Sequence, residues 1–218
     1  MIITDYTNPN VRVIDDFITP EDSKKILANI KQIPEQTWSH LNVNADSGIS
    51  MAWNDMTILY QRDYNTEDLQ NISNRITEQM IDYFKMDMLI KHSTLNRWRK
   101  GRKQSPHIDF FHEEDDHDYE DMQKYGHTKE SSLEFGKTFN SYHFSCLLYF
   151  NGHEDFEGGD LYFPQFDNFV LEPKAGRLAM FIGDTKHYHG VTEVTDGIRY
   201  TISSFYTDPT KQRSNIIP

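Results

Sequence analysis

His107 and Asp109 stand two residues apart in SPHIDFF, and a further histidine, His189, lies far downstream in HYHGV. On an extended backbone, side chains two apart leave on one face, so an imidazole and a carboxylate at this spacing can converge on one metal ion. Two imidazoles and one carboxylate suit iron(II) and leave three coordination positions open, whereas zinc favours a closed tetrahedral site or one open position. Arg199 follows ten residues after His189. A planar guanidinium grips a carboxylate through two parallel charge-assisted hydrogen bonds and stays charged in a closed pocket. Together these residues point to a metal holding one end of a short dicarboxylate whose other end meets an arginine. A His-x-Asp pair alone is weak, because ten histidines and many aspartates produce such surface pairs by chance. His187, two residues before His189, competes for the third ligand place.

The stretch from Gly183 to Tyr206 must position two of these groups, and it reads as two strands joined by a turn at Thr195-Asp196-Gly197. A three-residue loop with Gly in the left-handed conformation pairs Val194 with Ile198 and Glu193 with Arg199. His187, His189, Val191, Glu193 and Arg199 then share a face, with His189 roughly 13 Å of strand from Arg199 at about 3.3 Å per residue. A two-residue Asp-Gly loop would reverse Arg199.

Earlier in the chain, residues 11–17 read as a strand and Thr19-Pro20-Glu21-Asp22 as a capped helix start, with Ile26, Leu27 and Ile30 at helical spacing and Pro34 as a stop. Residues 38–62 read as strands around a polar loop, with 42–50 a candidate flap. Leu69, Ile72, Ile76, Met80 and Phe84 predict a second helix over 67–84, capped by Thr66. From Leu89 onward short apolar runs between Gly, Pro, Asn and Asp predict a mostly β half. The basic run Arg97 to Gln104 reads as a solvated hairpin tip. The polar excursion over 111–142 is either a lid or a surface feature, and the tail after Pro209 is expected to fray. Gly158, Gly159, Pro173 and Gly176 read as turn residues, and Trp53 and Trp98 as core or as the walls of a substrate channel.

The 218 residues carry 22 basic and 34 acidic side chains, a net charge of -12 that opposes binding to nucleic acid or anionic membrane. The length fits one domain over 1–218. A single cysteine, Cys146, permits no internal disulfide, and neither a signal peptide nor a membrane helix is evident, so a cytoplasmic protein is expected.

The motifs VRVIDDFITPEDSKKIL, SPHIDFF, CLLYFN, FEGGDLYFP, VLEPKAGRLAMF and HGVTEVTDGIRYTISSF, in this order, resemble the 2-oxoglutarate and Fe(II)-dependent dioxygenases, and within them the prolyl 4-hydroxylase-like branch. The resemblance covers most of the chain. It implies an α+β fold that is mostly β: a distorted double-stranded β-helix, or jelly roll, with N-terminal helices on its outer face. It implies His107, Asp109 and His189 as iron ligands, His189 rather than His187 because HGV and the later arginine match there. It further implies Arg199 as the partner of the far carboxylate of 2-oxoglutarate, and Tyr149 as a hydroxyl on the same carboxylate. Fe(II), 2-oxoglutarate and O2 are the implied cofactors and co-substrates, with ascorbate as a reductant. A prolyl residue in a peptide is the implied substrate, with succinate and CO2 as co-products. Two departures fall on the substrate side: the basic residue often found before Tyr142-His143-Phe144 is missing, and Phe205 stands where a tryptophan is common. A free amino acid or small metabolite as substrate, and a non-enzymatic jelly-roll binding module, are the competing expectations. Repair of alkylated nucleic acid is disfavoured by the charge and by Phe205 in place of a second arginine.

Overall fold

The computed structural model describes residues 1–35, 38–40, 49–52, 67–110, 119–126 and 144–209. Most of the candidate flap, Trp53, Thr66, most of the excursion and the tail after residue 209 lie outside the described residues.

One sheet is built in the order β1 (Ile2–Thr7), β2 (Asn10–Asp15), β11 (Leu178–Ile182), β7 (Phe144–Tyr149), β13 (Val194–Thr207), β5 (Leu89–Arg99), β4 (Ile49–Ala52) and β3 (Ser39–His40), with β8 (Phe156–Gly158) also paired to β13. A smaller sheet runs β10 (Phe169–Leu171), β9 (Leu161–Phe163), β12 (His189–Val191) and β6 (Gln104–His107). The larger sheet is apolar on both faces, which is why CLLYF and LAMFI read as continuous runs rather than as alternation. Cys146, Leu148, Leu178, Met180, Tyr200 and Ile202 face outward against helix α1 (Pro20–Ile30) and helix α2 (Glu67–Phe84). Leu147, Tyr149, Ala179 and Phe181 face inward against Leu161, Phe163 and Leu171 of the smaller sheet. The fold is thus the expected jelly-roll sandwich with its helices outside.

Both helices lie where the spacing predicts them. The Thr19 hydroxyl accepts from the Asp22 amide at 3.0 Å and Pro20 opens α1. One side of α1 buries Ile26, Leu27 and Ile30, and one side of α2 buries Leu69, Ile72, Ile76 and Met80.

Two expectations need correction. The stretch from Gly183 to Tyr206 is not a hairpin: β12 pairs with β6 and β9, whereas β13 pairs with β5, β7 and β8. Thr195-Asp196-Gly197 does not reverse the chain but bends it within β13, where Asp196 and Gly197 pair with Glu157 and Phe156 beside a bulge. Gly197 has φ +72°, and a Cβ there would sit 2.5 Å from the Asp155 carbonyl oxygen. A positive-φ glycine serves a bulge as readily as a turn, so turn chemistry alone did not discriminate. Likewise the run 97–104 is not a hairpin tip: it ends β5, crosses between sheets and opens β6. Its Arg97 is buried over Trp38 at 4.6 Å and bonds Glu35 at 2.8 Å.

Helix α3 (Tyr119–Lys124) lies in the described part of the excursion, 119–126. Met122 packs with Ile108 and Tyr188, which adjoin all three candidate ligands in sequence.

Candidate metal and co-substrate site

β6 carries His107, the backbone just beyond it carries Asp109, and β12 carries His189, which pairs directly with His107 across the smaller sheet. One ligand atom from each of the three residues lies within 4.8 Å of the others, the one such group found among the described residues. His107 Nε2 is 3.5 Å and His189 Nε2 3.2 Å from the Asp109 carboxylate. Each imidazole uses Nδ1 elsewhere: His107 on the Ser105 carbonyl at 3.0 Å, His189 on the His187 carbonyl at 3.1 Å. Donation from Nδ1 fixes the tautomer that leaves Nε2 as a lone pair for a metal.

Asp109 is held to the larger sheet. Its amide donates to the Gly183 carbonyl at 2.8 Å, and the Ser145 hydroxyl of β7 donates to Oδ2 at 2.6 Å. Burial alone would raise its pKa, but His189 and His107 in their protonated forms outweigh burial and hold the carboxyl well below the usual carboxylate range. His187 is turned to other work: Nδ1 pairs with Asp184 at 2.5 Å and the ring stacks on Phe166. It is absent from the group that converges.

Ser145 also locates the second half of the site, because Tyr149 is four residues further along β7 and so shares its inward face. Tyr149 pairs with Thr201 of β13, and Arg199 is two residues before Thr201 on the same face. Because β12 and β13 belong to different sheets, Arg199 lies on the sheet opposite His189 rather than beside it. Arg199 is 1% exposed, with its guanidinium Cζ 5.1 Å from the Tyr149 ring centroid and 5.4 Å from that of Trp98. Burial pulls its pKa below the ordinary arginine value, opposed by Tyr149 and Asp160. Burial raises the Tyr149 phenol, opposed mainly by Arg199.

Arg199 Nε and Nη2, the Tyr149 hydroxyl and the Thr201 hydroxyl are buried with no hydrogen-bond partner among the described residues. Native interiors rarely leave such groups unmet, least of all a guanidinium. Donors of this kind, clustered on one wall, fit a carboxylate, and the three-residue donor set on the opposite sheet fits a divalent metal. Iron(II) and a keto diacid are compatible with both halves.

The spacing singled out His107, Asp109 and Arg199 and left His187 and His189 both open, while the choice of His189, and Tyr149, came from the resemblance. Thr201 was missed although the two-residue parity from Arg199 could have found it. Ser145 had no separate signal, and Trp98, expected in the core or as a channel wall, is buried with its ring against Arg199.

The chain matches the 2OG-Fe(II) oxygenase superfamily over residues 93–207. Prolyl 3-hydroxylase 1 of Homo sapiens is 40% identical over 77 residues, 33% of this chain and 10% of that protein, so the chain spans about a tenth of that relative's length. A prolyl hydroxylase of Trichoplax adhaerens, solved with a hypoxia inducible factor peptide fragment, aligns with TM-score 0.60 and 16% identity over 94% of this chain and 86% of that one. The viral collagen prolyl hydroxylase of Paramecium Bursaria Chlorella virus-1, solved with 2OG, gives TM-score 0.57 and 13% identity over 90% of this chain and 94% of that one. With its inward-facing donor set inside the matched segment, and the match extending over more than half of its residues, the chain belongs to the 2OG-Fe(II) oxygenase superfamily.

Proposed function

We propose that the chain is an Fe(II)- and 2-oxoglutarate-dependent dioxygenase that hydroxylates an unactivated C–H bond, with a prolyl residue of a peptide as substrate and succinate and CO2 as co-products. The buried guanidinium of Arg199, whose Nε and Nη2 lack a hydrogen-bond partner among the described residues, beside the Tyr149 and Thr201 hydroxyls, carries this reading. The ligands are His107, Asp109 and His189. When bound, iron with 2-oxoglutarate and O2 supplies the oxidising power for the C–H bond, and ascorbate keeps the metal reduced.

The protein's own share is positioning. The Ser105 and His187 carbonyls aim both imidazoles, and Ser145 and the Gly183 carbonyl fix Asp109. Arg199 would hold the distal carboxylate through paired donors, with the Tyr149 and Thr201 hydroxyls beside it and the Trp98 ring packed against the guanidinium. No protein nucleophile or general base is required. The peptide reading is supported by the prolyl hydroxylases among the relatives, each of which is described as acting on proline. A cytoplasmic location fits the single, buried Cys146. Among the described residues no helix is long and apolar enough to cross a membrane.

The test begins without oxygen. Fe(II) and 2-oxoglutarate should give a visible charge-transfer band that His189→Ala abolishes and that Arg199→Ala restores only at higher 2-oxoglutarate. Oxygen and a library of proline peptides should then yield a product heavier by one oxygen atom. Loss of the band in His187→Ala would overturn the ligand assignment. Turnover of free amino acids but not peptides would overturn the substrate.

A further inference from the structure

β7 stops at Tyr149, while its neighbour β13 runs on past that point towards its bend at Gly197. The backbone on either side of Arg199 would lose its ladder partner there. One side chain takes the strand's place: Asn151 Nδ2 donates to the Ile198 carbonyl at 2.8 Å, and Asn151 Oδ1 accepts from the Tyr200 amide at 2.9 Å. The Phe150 amide meanwhile donates to the Tyr200 carbonyl at 3.0 Å. A primary amide presents a C=O acceptor and an N–H donor in one plane, as a strand residue does to its neighbour.

Arg199 is thereby held from both edges, since its other side pairs with Trp98 of β5. The clamp is itself anchored. Asn151 is buried, and the buried Ser23 hydroxyl of α1 donates to the Phe150 carbonyl at 2.8 Å. The room for the Arg199 side chain is narrow: a Cβ at Gly159 would lie 2.9 Å from Arg199 Cδ. A small slip of residues 198–200 would carry the guanidinium off the wall it shares with Tyr149 and Thr201.

We propose that Asn151 is a positioning residue for Arg199, its side-chain amide standing in for the missing strand so that the buried guanidinium faces the distal carboxylate of 2-oxoglutarate. This rests on the co-substrate reading of Arg199. Asn151 touches neither the metal nor the keto acid, so it acts on co-substrate affinity alone.

The experiment measures equilibrium binding on the full chain loaded with Mn(II), with no turnover. Asn151→Ala should keep wild-type Mn(II) affinity and weaken 2-oxoglutarate binding by about tenfold or more. In an Arg199→Ala background the same substitution should change 2-oxoglutarate affinity by less than about twofold, since residues acting as a unit are not additive. A purely structural role predicts instead that Mn(II) affinity falls in parallel, or that the loss recurs in full without Arg199, and either result overturns the proposal. So does unchanged 2-oxoglutarate affinity in Asn151→Ala. Should Asn151→Ala not fold, Asn151→Gln keeps both amide functions on a stem one methylene longer and is judged by the same comparisons. If wild type binds no 2-oxoglutarate, the co-substrate reading fails by itself. Nitrogen relaxation of the Arg199 Nε–H in ligand-free protein then decides the clamp: greater mobility in the variant supports it, and equal order overturns it.

Discussion

His107 and His189 each spend Nδ1 on a backbone carbonyl, so their aim depends on the path of the main chain more than on any neighbouring side chain. Asp109 differs, because it leans on a side chain and on an absent one. Ser145 donates to Oδ2, and Gly183 leaves room: a Cβ there would lie 2.8 Å from Asp109 Cβ and 3.0 Å from Oδ2. Gly183→Ala should therefore displace the carboxylate and weaken Mn(II) binding by about tenfold, ~1.4 kcal/mol, in a titration where Arg199→Ala leaves that affinity unchanged. Asp109 also has a pH consequence. Its pKa is lowered in the fold, so the stability it contributes is present above the ordinary carboxylate value of about 3.9 and is lost as pH falls below that. Cys146 shows the opposite sign, because burial pushes its thiol up to about 12. Stability from the neutral thiol is intact below the ordinary value of about 8.5 and drains away as pH rises from there towards 12. At pH near 8 the native thiol should resist iodoacetamide and react only after unfolding, as mass spectrometry would read directly; labelling of the folded chain would contradict its burial.

At the scale of elements, β13 does two jobs through one bend. Before Gly197 it pairs with β8, and after it with β5 and β7, so the glycine sets the direction in which Arg199 enters the larger sheet. Gly197→Ala must accept φ near +72° and a clash with the Asp155 carbonyl, at a cost of ~1–3 kcal/mol in urea unfolding. Its effect on 2-oxoglutarate affinity should exceed its effect on Mn(II) affinity, because Arg199 follows the bend and His189 precedes it. The same segment marks the limit of what was legible beforehand. His-x-Asp kept its geometry although β6 ends at His107, because two residues of near-extended backbone keep both side chains close whatever the strand pairs with. The relation of His189 to Arg199 depended on which strands pair, which local turn chemistry does not encode. Helices α1 and α2 were readable because their apolar faces and the Thr19 cap are local signals. β1 was not, since all six of its residues are exposed and no alternation marks a buried face. Asn151 in Asn-Gly has the composition of an ordinary turn, and only the spatial neighbour Ile198-Arg199-Tyr200 gives it a different meaning.

In the molecule as a whole the candidate metal ligands and the carboxylate-binding residues belong to opposing layers. His107 and His189 sit in the smaller sheet with Asp109 just past its β6 edge, while Tyr149, Arg199 and Thr201 sit in the larger. Direct polar ties from Asp109 to the larger sheet run through Ser145 and the residue after β11, Gly183. A metal alone would therefore brace chiefly one layer, but a keto diacid chelated at one end and gripped by Arg199 at the other would join the two. Ligands that bind only the folded state stabilise it by mass action, about 2.7 kcal/mol at a hundredfold excess over Kd. Thermal unfolding should thus rise modestly with Mn(II), rise further when 2-oxoglutarate is added, and stay unchanged with 2-oxoglutarate alone. Arg199→Ala should retain the first increment and lose most of the second, whereas His189→Ala should lose both, because without the metal the diacid has only one anchored end. Equal stabilisation by 2-oxoglutarate with and without metal would mean that the carboxylate wall works independently of the metal centre, and the bridge between the two sheets would not exist.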